Sequence, residues 1–137
     1  MKLSPSVSIE QSESGLEFIK VASEKCDAKI FLQGGQITEY IPKNNKPLIW
    51  VSQDETYQEG ASIRGGIPIC WPWFGTHAND GWPAHGFART SVWQADEVHE
   101  SDEQITVSLK LPMKLVNTTY WPHQSALKVE FVLSDKL

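Results

Sequence analysis

No stretch of this sequence approaches the ~20 consecutive apolar residues that a bilayer crossing needs. Residues 1–10 hold a single lysine and no apolar core, so they do not read as a signal peptide. Cysteine is scarce. Cys26 and Cys70 stand far apart with no Cys-x-x-Cys spacing, which favours reduced, buried thiols and leaves one bridge between them as the alternative. Arginine is just as scarce, Arg64 and Arg89 being the only two. The 12 Lys and Arg do not cluster, and the net charge of -5 is spread along the chain, which excludes the basic footprint of a nucleic-acid binder. A small anion is not excluded, since one or two well-placed arginines suffice. A cytoplasmic protein is expected, with neither nucleic acid nor membrane as partner.

Several chemistries lack their residues as well. His77, His85, His99 and His123 show no His-x-His or His-x3-His spacing, and neither cysteine is near them, so no metal site is expected. There is no Gly-x-Ser-x-Gly elbow, no P-loop and no dinucleotide fingerprint. Between Glu59 and Trp93 the only carboxylate is Asp80, so the central segment offers no acid/base pair.

What is present reads as strand. Ile105, Val107, Leu109 and Leu111 alternate with polar residues, as do Leu127, Val129, Phe131 and Leu133. A period of two with one apolar face marks a half-buried antiparallel strand. Leu16–Ala22, Ala28–Gln33, Gln36–Ile41 and Leu48–Val51 are further β-rich runs, separated by turn residues at Gly34-Gly35 and from Pro42 to Pro47. No sustained helical stripe appears, so the expectation is an all-β, antiparallel sandwich. The last strand runs straight into Ser134-Asp135, yet such a strand needs neighbours and an opposing sheet. Residues 1–137 are therefore read as part of one larger sandwich domain whose open edges invite self-association. An edge strand finishing a small domain is the alternative.

The segment from Gly60 to Trp93 is different: it gathers most of the glycines, four of the six tryptophans and both arginines. Ordering such a segment is costly, so it is usually kept for binding. In Ile63-Arg64-Gly65-Gly66, a guanidinium sits where bulky Cβ atoms are absent; a surface arginine before a turn is the plain alternative. In Pro83-Ala84-His85-Gly86-Phe87-Ala88-Arg89, an extended backbone would put His85, Phe87 and Arg89 on one face. That pairing of imidazole and guanidinium suits an oxygen-rich anion. A core histidine and an ion-paired arginine is the alternative. The aromatics of Trp71-Pro72-Trp73-Phe74-Gly75 fill the core or offer platforms to sugar C–H faces, and Trp82, in a polar stretch, is the one expected to face a ligand.

Taken together, Arg64-Gly-Gly-Ile-Pro-Ile-Cys-Trp-Pro-Trp-Phe-Gly75 and Pro83-Ala-His-Gly-Phe-Ala-Arg-Thr-Ser-Val-Trp93 closely resemble the glucose-6-phosphate 1-epimerase (hexose-6-phosphate mutarotase) branch of the aldose 1-epimerase superfamily. The resemblance covers essentially the whole chain and places it in the N-terminal half of that family's large β-sandwich. It implies interconversion of sugar anomers: an acid protonates the ring oxygen, a base takes the anomeric hydroxyl proton, and the opened chain rotates and recloses. It implies neither metal nor organic cofactor. Arg64 and Arg89 match substrate-binding arginines, with a sugar phosphate as ligand, and His85 matches the histidine of the His-Gly motif. Some relatives carry glutamine where Ala84 stands, which puts one substrate hydrogen bond in doubt. The family's catalytic histidine and glutamate lie in later motifs that do not occur before Leu137, and His123 stands too early and in the wrong context. No catalytic residue is therefore assigned, and the 137 residues alone are expected to be inactive. A non-catalytic carbohydrate-binding sandwich module is the alternative.

Overall fold

The computed structural model describes residues 2–137. Seven strands follow in order: β1 (Val7–Gln11), β2 (Glu17–Ala22), β3 (Cys26–Phe31), β4 (Gln36–Pro42), β5 (Gln94–Glu100), β6 (Ile105–Leu111) and β7 (Leu127–Leu133). They make a four-stranded sheet, β1-β2-β3-β4, and a three-stranded sheet, β5-β6-β7, with every neighbouring pair antiparallel. Among the described residues, helix is confined to two three-residue 3-10 turns, Ala88–Thr90 and Met113–Leu115. The all-β expectation holds, and no helix there is long and apolar enough to cross a membrane.

The alternation seen in the sequence becomes the core. Ile105, Val107, Leu109 and Leu111 of β6, with Phe131 and Leu133 of β7, are buried, while Lys110, Lys128 and Glu130 are exposed. They join Ile19, Val21, Cys26, Ala28, Ile30, Ile37 and Tyr40 of the first sheet in one cluster. At the sandwich end, Tyr40 Oη donates to the Ser134 carbonyl at 3.1 Å. Cys26 is buried and Cys70 half-buried, both as free thiols, and burial pushes the Cys26 thiol up.

Three local expectations need correction. β1 and β5 both lie outside the runs that read as strands. In β5 a register shift between Ala95 and Glu97 puts Ala95 opposite Leu109 and Val98 opposite Val107. Its two core-facing residues are thus three apart, which erases the period of two. Conversely, Leu48–Val51 is not a strand: it makes one bridge, Val51 to Gly65, and leaves Leu48 and Trp50 largely exposed.

The connection from β3 to β4, Leu32-Gln33-Gly34-Gly35, positions the glycine-rich segment. Gly34 and Gly35 have φ of 76° and 57°. A Cβ on Gly34 would lie 2.7 Å from the Arg89 carbonyl oxygen, and one on Gly35 would lie 2.8 Å from the Trp93 indole. Gly34 N donates to Ser91 O at 2.8 Å, and Trp93 N donates to Leu32 O at 2.7 Å. Only glycine meets both the conformation and the approach.

Gly15 separates these two demands, since its φ is 87° but nothing lies within 4 Å of the place a Cβ would take. Gly15→Ala is expected to cost about 1–2 kcal/mol, the strain of a left-handed alanine. Gly34→Ala adds a clash worth a further ~1–3 kcal/mol. Equal losses for the two variants in urea denaturation would show that the Arg89 contact carries no weight.

Candidate functional site

Arg64 is carried by a loop that is tightly held although its side chain is exposed. Its N–H donates to a Glu55 carboxylate oxygen, and its carbonyl accepts Ser52 N–H at 2.9 Å. Gly65 bridges Val51, and a Cβ there would lie 2.5 Å from Val51 Cα. Gly66 N donates to Trp50 O at 2.8 Å and Ile67 N to Ile37 O at 3.0 Å. Gln36, fully buried, donates through Nε2 to the carbonyls of Gly65 and Ile63. Gln33, also buried, takes Gly60 N–H on Oε1 at 3.2 Å and gives Nε2–H to Ala61 O at 2.8 Å. Side-chain amides thus do here what a β-ladder does elsewhere.

The segment 83–89 is not extended, which corrects the expectation of one shared face. His85 and Gly86 have φ of 64° and 71°, and Ala88–Thr90 is a 3-10 turn. Gly86 forms a bridge with Trp71 so close that a Cβ would overlap the Trp71 carbonyl. Phe87 consequently turns inward, buried against Trp71 edge to face at 5.4 Å. His85 and Arg89 are still brought together, but by the turn: Arg89 Nη2 donates to the carbonyl of Ala84 at 3.0 Å, one residue before His85. Arg89 Nε is buried and meets no acceptor among the described residues. Ala84 therefore contributes through its backbone carbonyl, a bond that does not depend on its side chain.

His85 itself is half-buried. Its Nδ1 accepts Gly75 N–H at 3.0 Å, its N–H donates to Gly75 O at 2.8 Å, and Phe74 packs edge-on against the ring at 4.8 Å. With Trp73 Nε1 donating to Pro83 O at 3.0 Å, these bonds close the stem of a loop running from Gly75 to Pro83. Phe74 is 81% exposed, so the face beside His85 is open to solvent.

Trp82 does not stand free as a platform. It is half-buried, stacked on His77 at 4.5 Å, edge-on to Tyr120 at 4.9 Å and tilted against Trp73 at 5.7 Å. Tyr120 and Trp121, which no local pattern places here, complete this aromatic cluster.

Neither Arg64 nor Arg89 forms an ion pair among the described residues; the ion pairs there involve lysines and His99. Nor, among the same residues, does a hydrogen bond join Arg64 to His85 or Arg89. What the two loops share is their support: Gly34 under Arg89, and Gln36 and Ile37 under Gly65 and Gly66. Arg64 on one loop, and Arg89 with His85 on the other, offer two guanidinium groups without an ion-pair partner among the described residues and one imidazole, chemistry suited to a phosphate and hydroxyl oxygens. A separate cavity of ≈ 830 Å³ lies against the outer side of the first sheet, between Phe18, Lys29, Phe31 and Tyr57. Its lining includes Val51 and Glu55, which hold the Arg64 loop, but no residue of 60–93, so the candidate site rests on side-chain chemistry and not on volume.

Comparison with known proteins gives a consistent answer. Residues 17–137 match the family described as aldose 1-epimerase. An Escherichia coli protein named "Putative glucose-6-phosphate 1-epimerase" is 34% identical over 116 residues, covering 85% of this chain and 40% of its own. A Salmonella typhimurium protein of the same name is 34% identical over 130 residues, covering 95% of this chain and 44% of its own. The crystal structure of a Salmonella typhimurium protein titled "putative mutarotase (YeaD)" superposes with a TM-score of 0.90 at 33% identity, over 97% of this chain and 45% of that one. The chain thus spans under half the length of these relatives.

The two arginines should behave differently in stability. Arg64→Met removes an exposed side chain with no hydrogen bond of its own among the described residues, so stability should stay within about 0.5 kcal/mol of wild type. Arg89→Met removes a charge-assisted bond to Ala84 and should cost ~1.5–3 kcal/mol. Urea denaturation of both variants checks this, and a neutral Arg89→Met would remove Arg89 as the support of the His85 turn.

Proposed function

The chain belongs to the aldose 1-epimerase family, and from that premise we propose that it forms the sugar-phosphate-binding part of a hexose-6-phosphate mutarotase. One observation carries this reading. The only two arginines sit on loops braced by residues 34–37 just before and at the start of β4, their guanidinium groups in no ion pair among the described residues, and one of them holds the turn that presents His85.

On this reading Arg64 is the free phosphate ligand. Its backbone is pinned on both sides while its guanidinium reaches solvent, so it binds without reordering the chain. Arg89 has two tasks: Nη2 supports the His85 turn, and the rest of the fork adds positive charge beside it. His85 meets an oxygen of the sugar. Trp82 borders the site from within the aromatic cluster instead of stacking flat on the ring.

The ring opening needs an acid for the ring oxygen and a base for the anomeric hydroxyl. We assign neither to these 137 residues. His123 is exposed, edge-on to Trp121. Among the described residues the one histidine–carboxylate pair, His99 with Glu97 at 3.7 Å, lies on exposed side chains of β5. The acid and base belong, on this reading, to a longer protein of which this is the N-terminal part, acting in the cytoplasm.

Titration with glucose 6-phosphate and with glucose tests the binding site. Arg64→Met should weaken glucose 6-phosphate by on the order of 10- to 100-fold, since a charge-assisted bond is worth roughly 1.5–3 kcal/mol and 1.4 kcal/mol is a factor of ten. Glucose binding should change little, and lysine should restore only part of the loss. An unaltered preference for the phosphorylated sugar in both arginine variants would remove the arginines from the phosphate site. In NMR anomer exchange, the 137-residue chain should leave the rate of glucose 6-phosphate at its buffer value, because each missing proton-transfer group is worth ~10²–10⁴-fold. Clear acceleration would place the acid and base within this chain.

A further inference from the structure

His85 holds φ 64°, a conformation seldom adopted outside glycine, and its bonds to Gly75 keep it there. A backbone N–H can only donate, so the ring nitrogen facing Gly75 at 3.0 Å carries no proton. In the neutral ring the proton must then sit on Nε2. Phe74 packs edge-on against the ring, and Arg89, the charged group bonded to the turn, ties down the Ala84 carbonyl. No carboxylate bonds to His85 among the described residues.

We propose that His85 meets its ligand solely as an Nε2–H donor, selecting an acceptor oxygen of the sugar, and that Gly75 is the positioning residue that imposes this tautomer. The identity of the ligand rests on the sugar-phosphate reading; the tautomer does not. Two consequences follow. His85 cannot serve as the base of ring opening, because Nδ1 is taken by Gly75 and Nε2 already holds its proton. Protonating the ring would also set an Nδ1–H against the Gly75 N–H, so the bond that closes the Gly75–Pro83 loop opens when the imidazole becomes charged.

The test needs no ligand for its first half. In protein carrying 15N-labelled histidine, long-range 1H–15N spectra should show His85 as the Nε2–H tautomer with Nδ1 hydrogen-bonded. The Gly75 amide should exchange at least ~10-fold more slowly than an unbonded amide and lose that protection as the ring protonates, one bond being worth about a factor of ten. His85→Asn, whose side-chain oxygen accepts the Gly75 N–H and which tolerates positive φ, should keep Gly75 protected; His85→Ala should not. An Nδ1–H tautomer, or a Gly75 amide that exchanges freely in wild type, overturns the latch. In the second half, both variants should bind glucose 6-phosphate about 10-fold more weakly, and wild-type affinity in both overturns the donor role. Wild-type protein with the latch intact but no affinity for glucose 6-phosphate supports the latch and overturns the sugar-phosphate reading instead.

Discussion

Gly34 and Gly35 bring the start of β4 against two other segments at distances that no side chain would tolerate. The Arg89 carbonyl rests on one glycine and the Trp93 indole on the other, while the residues just after them, Gln36 and Ile37, receive Gly65 and Gly66. The whole arginine-bearing region depends on this contact. It fixes where both loops leave the sandwich, and so where two guanidinium groups stand. At Gly34, Gly65, Gly66 and Gly86 a backbone atom of another segment occupies the space of a Cβ.

Buried amides complete the frame. Gln33 and Gln36 are almost wholly shielded, and burying an amide is costly unless its hydrogen bonds are made. Gln33 satisfies both its donor and its acceptor on residues 60 and 61, whereas Gln36 gives its donor to residues 63 and 65 but leaves its Oε1 without a partner among the described residues. A loop held by side-chain amides keeps a defined path without becoming a strand, which leaves the Arg64 side chain exposed to solvent. A similar device appears at the His85 turn, where Gly75, Ala84 and Arg89 hold an unusual backbone conformation through three hydrogen bonds. Such strain is characteristic of sites where a side chain must be aimed.

Much of the fold was legible in the residues. β6 and β7 end where the alternation of Ile105–Leu111 and Leu127–Leu133 ends, because each strand has one face in the core and one in water. β5 escaped because its bulge spaces Ala95 and Val98 three apart. Leu48–Val51 has the propensity of a strand, yet Pro47 and a single bridge to Gly65 leave it unpaired. Among the residues proposed for the site, Arg64, His85 and Arg89 were singled out by type and by their glycine-rich setting. Gln36, Tyr120 and the role of Gly75 were not, since each acts through a partner distant in sequence or through its backbone.

The amino-acid sequence by itself determined the all-β class, the core faces of the later strands and the loops that carry the arginines. Those follow from local quantities: side-chain period, turn residues and the scarcity of arginine. Only the tertiary structure decided how the site is assembled. An extended 83–89 would have placed His85, Phe87 and Arg89 side by side, but close approach of Gly86 to Trp71 forces a left-handed turn. Phe87 is thereby sent into the core, and Arg89 reaches back to Ala84. Likewise, the polar neighbours of Trp82 suggested exposure, whereas His77, Trp73 and Tyr120 converge on its ring. Both outcomes turn on contacts between segments far apart along the chain, and local pattern carries no information about which backbone will pass within reach of which.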